Sequence, residues 1–475
     1  MTQKNITVKV LEAIKNTPNR IAFENKSSSL TYEEFGRLIG AFVLRMSDDK
    51  VGQGSLVGIK SQDPRFVTAG ILATQWLGAA WVDITKGNIN NQEFRVTHTL
   101  TLTSDDFEIG DENVIRIDSQ TTNDPRISFW EVYCPFQGFK SSKAIAWIDQ
   151  SSGTTGRAKF LLFTAESIYK LLLSEAVYLT NETNRIMNAL PPLSPGGSRI
   201  IIKSLLRGKS YMTVGIEDIN DFNVDTIIGS PFHMDMCGRE INKRGINGVE
   251  NAIVVGGSVS EKLLNRIRNF SKNVYISYGS TEIGIVGGRL IGPNDDYRGA
   301  LSIVNEREAV FEIVGNDRKV LPFGEVGLVR IKTDTLPISI DQKKKYVGEW
   351  FYPGDLGIIF KNREFKVVGR SSDSVNIGGV TINLIDLDKI VQSCKFVSDG
   401  FSFVIENNEG IGELHLIACY FEGEDIEVSS NKLLEIISKY TTLATRPKSV
   451  FVSGTIPRTS TGKPMRHKVL SILQN

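Results

Sequence analysis

The strongest constraint in this chain is an alternation. Through its first two thirds, short apolar runs that read as strands take turns with segments of helical period. That order implies an α/β fold with largely parallel sheets and helices on their faces. In LTYEEFGRLIGAFVLRM, Phe35, Leu38, Ile39 and Phe42 recur at i, i+3, i+4 and i+7, and Thr31 stands before them as an N-cap. LVGIKSQD follows as a strand, and FVTAGILATQWLGAAWVDI as a helix that closes at Gly78 and runs into a buried strand. From about Arg289 to Val368 the pattern changes to short strands parted by Gly, Pro and Asn-Asp turns, a small β-rich subdomain. Beyond VVGRSSDSVNIGG comes a mixed α/β tail the size of a separate small domain. No repeat or low-complexity tract interrupts this order.

Length and charge narrow the function. A chain of 475 residues exceeds the roughly 250–300 residues that one core fills, so at least two lobes are expected. With 55 Lys and Arg against 54 Asp and Glu, the net charge is +1. No global field therefore favours nucleic acid or an anionic membrane, and any anion site must be local. Cys134, Cys237, Cys394 and Cys419 lie far apart without C-x-x-C spacing, and the four histidines are equally scattered. This gives neither a zinc site nor a disulfide framework and fits a reducing cytoplasm. The amino terminus lacks the apolar core of a signal peptide, and no 18-residue apolar run occurs. A soluble, cytoplasmic protein is expected.

The stretch QSSGTTGRAKF, Gln150 to Phe160, has the chemistry of a polyphosphate cradle. Gly153 and Gly156 let backbone N–H groups turn toward one anion. Ser151, Ser152, Thr154 and Thr155 add hydroxyl donors, and Lys159 adds charge. It does not meet the NTPase pattern G-x-x-x-x-G-K-[ST], because the glycines are too close and no Ser or Thr follows the lysine. By residue content alone it reads either as a phosphate cradle or as an ordinary turn. SYGSTEIG places Tyr278, Thr281 and Glu282 on one tight turn after an apolar strand. EWFYPGDLG offers Asp355, VVGRSSD offers Arg370, and PRTSTGKPMR offers Lys463 between Gly462 and Pro464.

This set, in this order and spacing, resembles the acyl-adenylate-forming superfamily of acyl-CoA and aryl-CoA ligases, peptide-synthetase adenylation domains and luciferases. LTYEEF, LGAAWVDI and VVGGSVSEKLL extend the resemblance over nearly the whole chain. It implies a large N-terminal lobe, residues 1–371, with mainly parallel sheets, and a small mobile α+β domain, residues 372–475. It also implies ATP and Mg²⁺, activation of a carboxylic acid as its acyl-adenylate with loss of pyrophosphate, and transfer to the thiol of CoA or a separate holo carrier protein.

Residue by residue, the resemblance makes Ser151 to Lys159 the loop gripping the β- and γ-phosphates, with Ala158 where the family has proline. Gly256, Gly257, Ser258 and Val259 form one wall of the adenine slot, and Tyr278, followed by Gly279, stacks on the base. Thr281 donates to the α-phosphate and Glu282 holds Mg²⁺. Asp355 accepts the ribose hydroxyls with help from Arg370, although the family threonine two residues before it is Pro353. Lys463 bridges the substrate carboxylate and the α-phosphate. Ser372 takes the hinge position, and Gly378 and Gly379 line the thiol tunnel. The following Val380-Thr381 replaces an arginine that CoA-using relatives often carry.

Pro195, Gly196, Arg199 and Phe232 fall to the acid pocket. Pro195 occupies the position read as the amino-group aspartate of peptide-synthetase domains. An α-amino acid would leave its ammonium unpaired in a buried pocket, which points to a carboxylic acid without that group. Arg199 is read as a solvated side chain, with pairing to a second acidic group of the substrate as the alternative. Two other functions stay open: a stand-alone amino-acid-activating enzyme, and a degenerate member that binds nucleotide or acyl group without catalysis.

Overall fold

The computed structural model describes residues 4–85, 95–102, 114–117, 136–152, 158–174, 178–179, 183–303, 309–339, 346–371, 374–377, 380–406, 412–443, 445–458 and 464–469. The helical period expected after Thr31 is realised as the helix Tyr32–Asp48. Thr31 Oγ1 accepts from the Glu34 amide at 3.2 Å, and Glu34 Oε2 accepts from the Thr31 amide at 2.7 Å. This reciprocal box satisfies two end groups that would otherwise lack partners. Phe35, Ile39 and Phe42 are buried on the apolar face. The next unit also follows its sequence: strand Leu56–Lys60, helix Pro64–Trp76 with Asp63 as N-cap, then strand Ala80–Asp83. Gly78 turns the chain between the last two at φ 70°, and a Cβ there would lie 1.9 Å from the Gly138 carbonyl oxygen. Only glycine fits that corner.

Among the described residues the strands form sheets of 15, seven, three and two strands. Six strands of the large sheet are parallel neighbours, in the order Ile21–Asn25, Ser210–Thr213, Arg185–Asn188, Thr226–Gly229, Val249–Val254 and Ser271–Ser280. The β-rich segment expected from Arg289 onward is not set apart from this sheet. It continues it through antiparallel strands that begin with Gly284–Ile291 pairing against Ser271–Ser280. The seven-stranded sheet is parallel from Ile145–Ser152 inward; on its other side that strand forms an antiparallel hairpin with Ala158–Thr164, and Ile338–Ser339 pairs outside the hairpin. Toward the C-terminus, Val397–Glu406, Gly412–Tyr420 and Val450–Val452 make the three-stranded sheet. Helices Leu384–Ser393 and Ile426–Ser438 pack against that sheet around Val391, Leu416, Leu433 and Ile437. Among the described residues no helix is long and apolar enough to cross a membrane.

The main core joins helix and sheet through large side chains, with Trp81 and Trp147 edge to face at 4.6 Å on neighbouring strands. Several tyrosines are buried or half-buried in this and the neighbouring cores. Burial pushes Tyr275 and Tyr297 up to about 12 from the usual 10, and Tyr32, Tyr178 and Tyr211 higher still. Because folding raises these values, the folded state favours the protonated phenols. Their contribution is whole below the unfolded value near 10 and is lost as pH climbs from 10 toward 12. The chain should therefore lose stability steeply above pH 10 in denaturant titrations, in step with tyrosinate absorbance. Tyr275→Phe, which removes a buried hydroxyl lacking a hydrogen-bond partner, should flatten that slope with little effect at neutral pH. An unchanged slope would contradict this origin.

Candidate active site

Strands Thr226–Gly229, Val249–Val254 and Ser271–Ser280 run parallel, so the chain leaves all three at one edge of the sheet. Ligands of open α/β sheets bind at such carboxyl edges. Three segments gather there: Ser230 to Phe232, Gly256 to Val259, and the turn Thr281 to Ile283. Gly257 packs so close to Pro231 that a Cβ would lie 3.0 Å from its Cγ, while Gly256, Gly257 and Ser258 stay exposed.

Tyr278 differs from the sequence expectation in one respect. It is not on the turn but within the strand, which runs on to Ser280 because the hairpin partner from Gly284 pairs with it. Gly279 makes this possible, since a Cβ there would meet the Gly284 carbonyl oxygen at 2.0 Å. The Tyr278 ring stands edge-on to Phe365 at 5.5 Å and Phe311 at 6.1 Å. Its hydroxyl donates to Asp355 Oδ2 at 2.6 Å. Asp355 opens the strand Asp355–Ile359 directly opposite Arg370, whose Nε lies 3.1 Å from Asp355 Oδ1. Burial, then the charge of Asp355 and the bond to it, hold the Tyr278 pKa well above its ordinary value, with Arg370 opposing. Tyr278 thus remains a donor throughout the neutral range. Asp355 is buried rather than part of a surface ion pair, and a carboxylate accepts about four hydrogen bonds, which leaves capacity for a ligand.

The phosphate-loop segment is framed by the hairpin. Ser151 pairs with Lys159 and Ser152 with Ala158, so residues 153–157 join two strands in register. Gly153, Thr154, Thr155 and Gly156 lie outside the described residues, as do the side chains of Ser151, Ser152 and Lys159. Ser372, Gly378, Gly379 and Lys463 lie outside them too. The flanks of Lys463 are described: Arg458 and Pro464 form an antiparallel bridge. The Arg458 Nε donates to Asp399 Oδ2 at 2.8 Å, and its guanidinium lies 6.0 Å from the Phe232 ring at the sheet edge. Nearby, Lys262 donates to the carbonyls of Gln392 and Cys394 at 2.9 and 3.1 Å, a cation on the C-terminal end of helix Leu384–Ser393.

Arg199 corrects the solvated reading. It lies on helix Pro195–Leu205, capped by Ser194 with Pro195 in the first turn, and is 7% exposed. Its Nη2 donates to Asp149 Oδ2, its Nη1 donates to the Thr281 carbonyl at 2.7 Å, and its guanidinium lies 4.7 Å over Phe163. Asp149, 2% exposed, also accepts from the Trp147 indole at 2.8 Å. Burial lowers the Arg199 pKa, while the carboxylates of Asp149 and Glu282 act in the opposite sense. The helix turns this position inward, where a charge must be paired. Sequence reading passed over Asp149, although an acid inside the apolar strand IAWIDQ is itself a signal of a buried cation nearby.

Glu282, 7% exposed, follows Thr281 on the turn. No group of three or more His, Cys, Asp or Glu that could hold a metal occurs among the described residues. One carboxylate at a site where phosphate oxygens could complete the shell suits Mg²⁺, which keeps few protein ligands. It does not suit a cage-bound metal.

Comparison with known proteins agrees with this geometry. The AMP-binding enzyme family model matches residues 10–336. The chain belongs to that family, within the acyl-adenylate-forming superfamily. It is similar to 2-succinylbenzoate–CoA ligase of Geobacillus sp. (strain WCH70), 22% identical over 97% of this chain and 96% of the relative. Zwittermicin A synthase ZmaJ of Bacillus cereus is also 22% identical, over 97% of this chain and 94% of its own. Among solved structures, the O-succinylbenzoate–CoA synthetase of Bacillus subtilis with ATP and magnesium has a TM-score of 0.79 at 19% identity, covering 97% of this chain and 99% of that one. ATP-bound MatB of Rhodopseudomonas palustris has a TM-score of 0.82 at 15% identity, with 99% of both chains covered. The protein is an AMP-forming acid–thiol ligase: it activates a carboxylic acid with ATP as an acyl-adenylate and passes the acyl group to a thiol.

Replacing Asp355 tests the nucleoside end. Hydrogen bonds to a charged acceptor contribute about 1.5–3 kcal/mol, so Asp355→Ala should raise the Kd for AMP by about 10- to 150-fold in calorimetric titration. Tyr278→Phe should have a smaller effect in the same direction. AMP affinity equal to the wild type in Asp355→Ala would reduce that residue to a strand cap.

Proposed function

We propose that the nucleotide lies along the carboxyl edge of the large sheet, with the ribose on Asp355, the base between Tyr278 and Gly256 to Val259, and the β- and γ-phosphates in residues 151–159. The observation that carries this reading is the buried Asp355 carboxylate, held by Tyr278 and Arg370 beside the glycine-lined slot. Thr281 donates to the α-phosphate and Glu282 provides the protein carboxylate for Mg²⁺, which would offset phosphate charge. Lys463 meets the charge that develops as a carboxylate oxygen attacks the α-phosphorus in line and pyrophosphate leaves. Its loop is rooted at Arg458, next to Phe232.

The acid is a carboxylic acid without an α-ammonium group. Pro195 and Gly196 offer no counter-charge at the start of their helix, and the Arg199 guanidinium is already neutralised by Asp149. A second substrate carboxylate would have no claim on it. The thiol is the phosphopantetheine arm of a carrier protein in preference to free CoA. Val380 and Thr381, paired with Ile377 and Asn376 beside the glycines, offer no cation to a nucleotide phosphate, whereas a carrier presents only its arm and adds protein contacts. Residues 372–475 turn as a unit about Ser372 between the two half-reactions.

Two measurements test this. Pyrophosphate–ATP exchange over a panel of simple acids and amino acids should respond to a simple acid, and Lys463→Ala should abolish it while ATP still binds. The same variant should still form thioester from a supplied acyl-adenylate; equal failure of that step would remove the two-position reading. With the acid identified, mass spectrometry of thioester formed on holo carrier or CoA decides the acceptor. Efficient acyl-CoA formation at micromolar CoA would overturn the carrier assignment.

A further inference from the structure

Arg199 bridges a hairpin of the seven-stranded sheet and a turn of the 15-stranded sheet. Asp149 and Phe163 belong to the two strands of a hairpin in the seven-stranded sheet, with Ile338–Ser339 paired on its outer side, and Trp147 ↔ Phe163 and Asp149 ↔ Leu161 are its register pairs. Thr281 belongs to the turn at the end of a strand of the 15-stranded sheet. The guanidinium is bonded to Asp149 on the first and to the Thr281 carbonyl on the second, and it lies over the Phe163 ring. We propose that Arg199 is a positioning residue that sets the strands flanking residues 153–157 at a fixed distance from the Thr281–Glu282 turn. This rests on the reading of residues 151–159 as the loop that grips the outer phosphates.

Three features separate this role from simple stabilisation. The link is rigid at both ends. A guanidinium is a planar fork of fixed donors, and the Trp147 indole holds the other oxygen of Asp149 at 2.8 Å. The pair is also poor as a stability device. Among the described residues Arg199 Nε is buried without a hydrogen-bond partner, a loss of about 1–3 kcal/mol that an apolar filling would avoid. Finally, Arg199 reaches the turn through the Thr281 backbone carbonyl and not through the Thr281 hydroxyl, so its contact there is structural. Where two halves of a polyphosphate site stand on separate sheets, a displacement of about 1 Å costs about 100-fold in rate.

The test removes both members of the ion pair together, so that neither is left buried without the other. Asp149→Asn/Arg199→Met is titrated with AMP and with MgATP by calorimetry, and its pyrophosphate exchange is measured with the accepted acid. Asp355, Tyr278 and Arg370 all stand on the large sheet, so AMP affinity should stay within about threefold of the wild type. The preference for MgATP over AMP should fall by about tenfold or more, and the exchange kcat by about 30-fold or more with a KM for the acid within about threefold. Arg199→Lys keeps the charge but is a point donor that cannot hold Asp149 and Thr281 together. It should show the same losses, and it carries the test if the double variant does not fold. A MgATP-to-AMP preference within about threefold of the wild type overturns the proposal. Wild-type protein that binds both nucleotides yet exchanges with no acid would defeat the proposed function while the affinity ratio still decides this inference. Absence of nucleotide binding would overturn both.

Discussion

The ion pair of Arg199 with Asp149 is the contact on which the arrangement of this site depends. Two sheets of different size meet here, and in the proposed reading each carries half of a polyphosphate site. A hydrophobic seam is non-directional and could hold the two at more than one offset. A buried charge pair with a planar donor cannot slide without breaking, and breaking a buried pair costs about 3–5 kcal/mol. The side chains that fill the seam, Trp147 and Phe163 among them, then pack around a fixed point. That one side chain also contacts the turn carrying Thr281 and Glu282 makes the placement of the site a consequence of the placement of the sheets.

The remaining parts attach to this frame in order of rigidity. The nucleoside end is built wholly within the large sheet: Asp355 and Arg370 face each other across one ladder and Tyr278 reaches them from another strand. The C-terminal part touches the large lobe through contacts that include Arg458 beside Phe232, Arg239 to the Ser398 carbonyl and Lys262 to the Gln392 carbonyl. Contacts of this kind, side chain to backbone carbonyl and cation to ring, are modest in energy. A nucleoside site held within one sheet suits the proposed reading, in which Lys463 acts in one step and is cleared for the next.

Much of this was legible in the sequence, for reasons that differ by element. The helix after Thr31 was readable because its cap and its period are local properties, and Gly78 because a closing glycine is a local signal. Asp355, Arg370 and Tyr278 were readable only as members of a spaced set, since nothing in YPGD alone shows that Arg370 will lie opposite. The extent of the Tyr278 strand was missed because it depends on pairing with Gly284–Ile291, a tertiary fact. The reading of Arg199 failed because an arginine is usually solvated. Its burial follows from the helix facing the hairpin, which brings it to an aspartate 50 residues away. Asp149 was the available clue. An acid that follows tryptophan and isoleucine in a strand requires a partner, and the partner could have been sought among the buried faces of later helices.

The central claim is that the site directs a carboxylate oxygen to the α-phosphorus of ATP, and an isotope label reports it directly. The accepted acid, carrying ¹⁸O in its carboxylate, is incubated with enzyme, Mg²⁺, ATP and the thiol acceptor, and the products are separated for mass spectrometry. The account requires one ¹⁸O in AMP and none in pyrophosphate or orthophosphate, because the oxygen that forms the acyl–phosphate bond stays with the adenylyl group when the thiol displaces it. Label in orthophosphate, with ADP as the nucleotide product, would place the attack at the γ-phosphorus and contradict the assignment of the loop at residues 151–159.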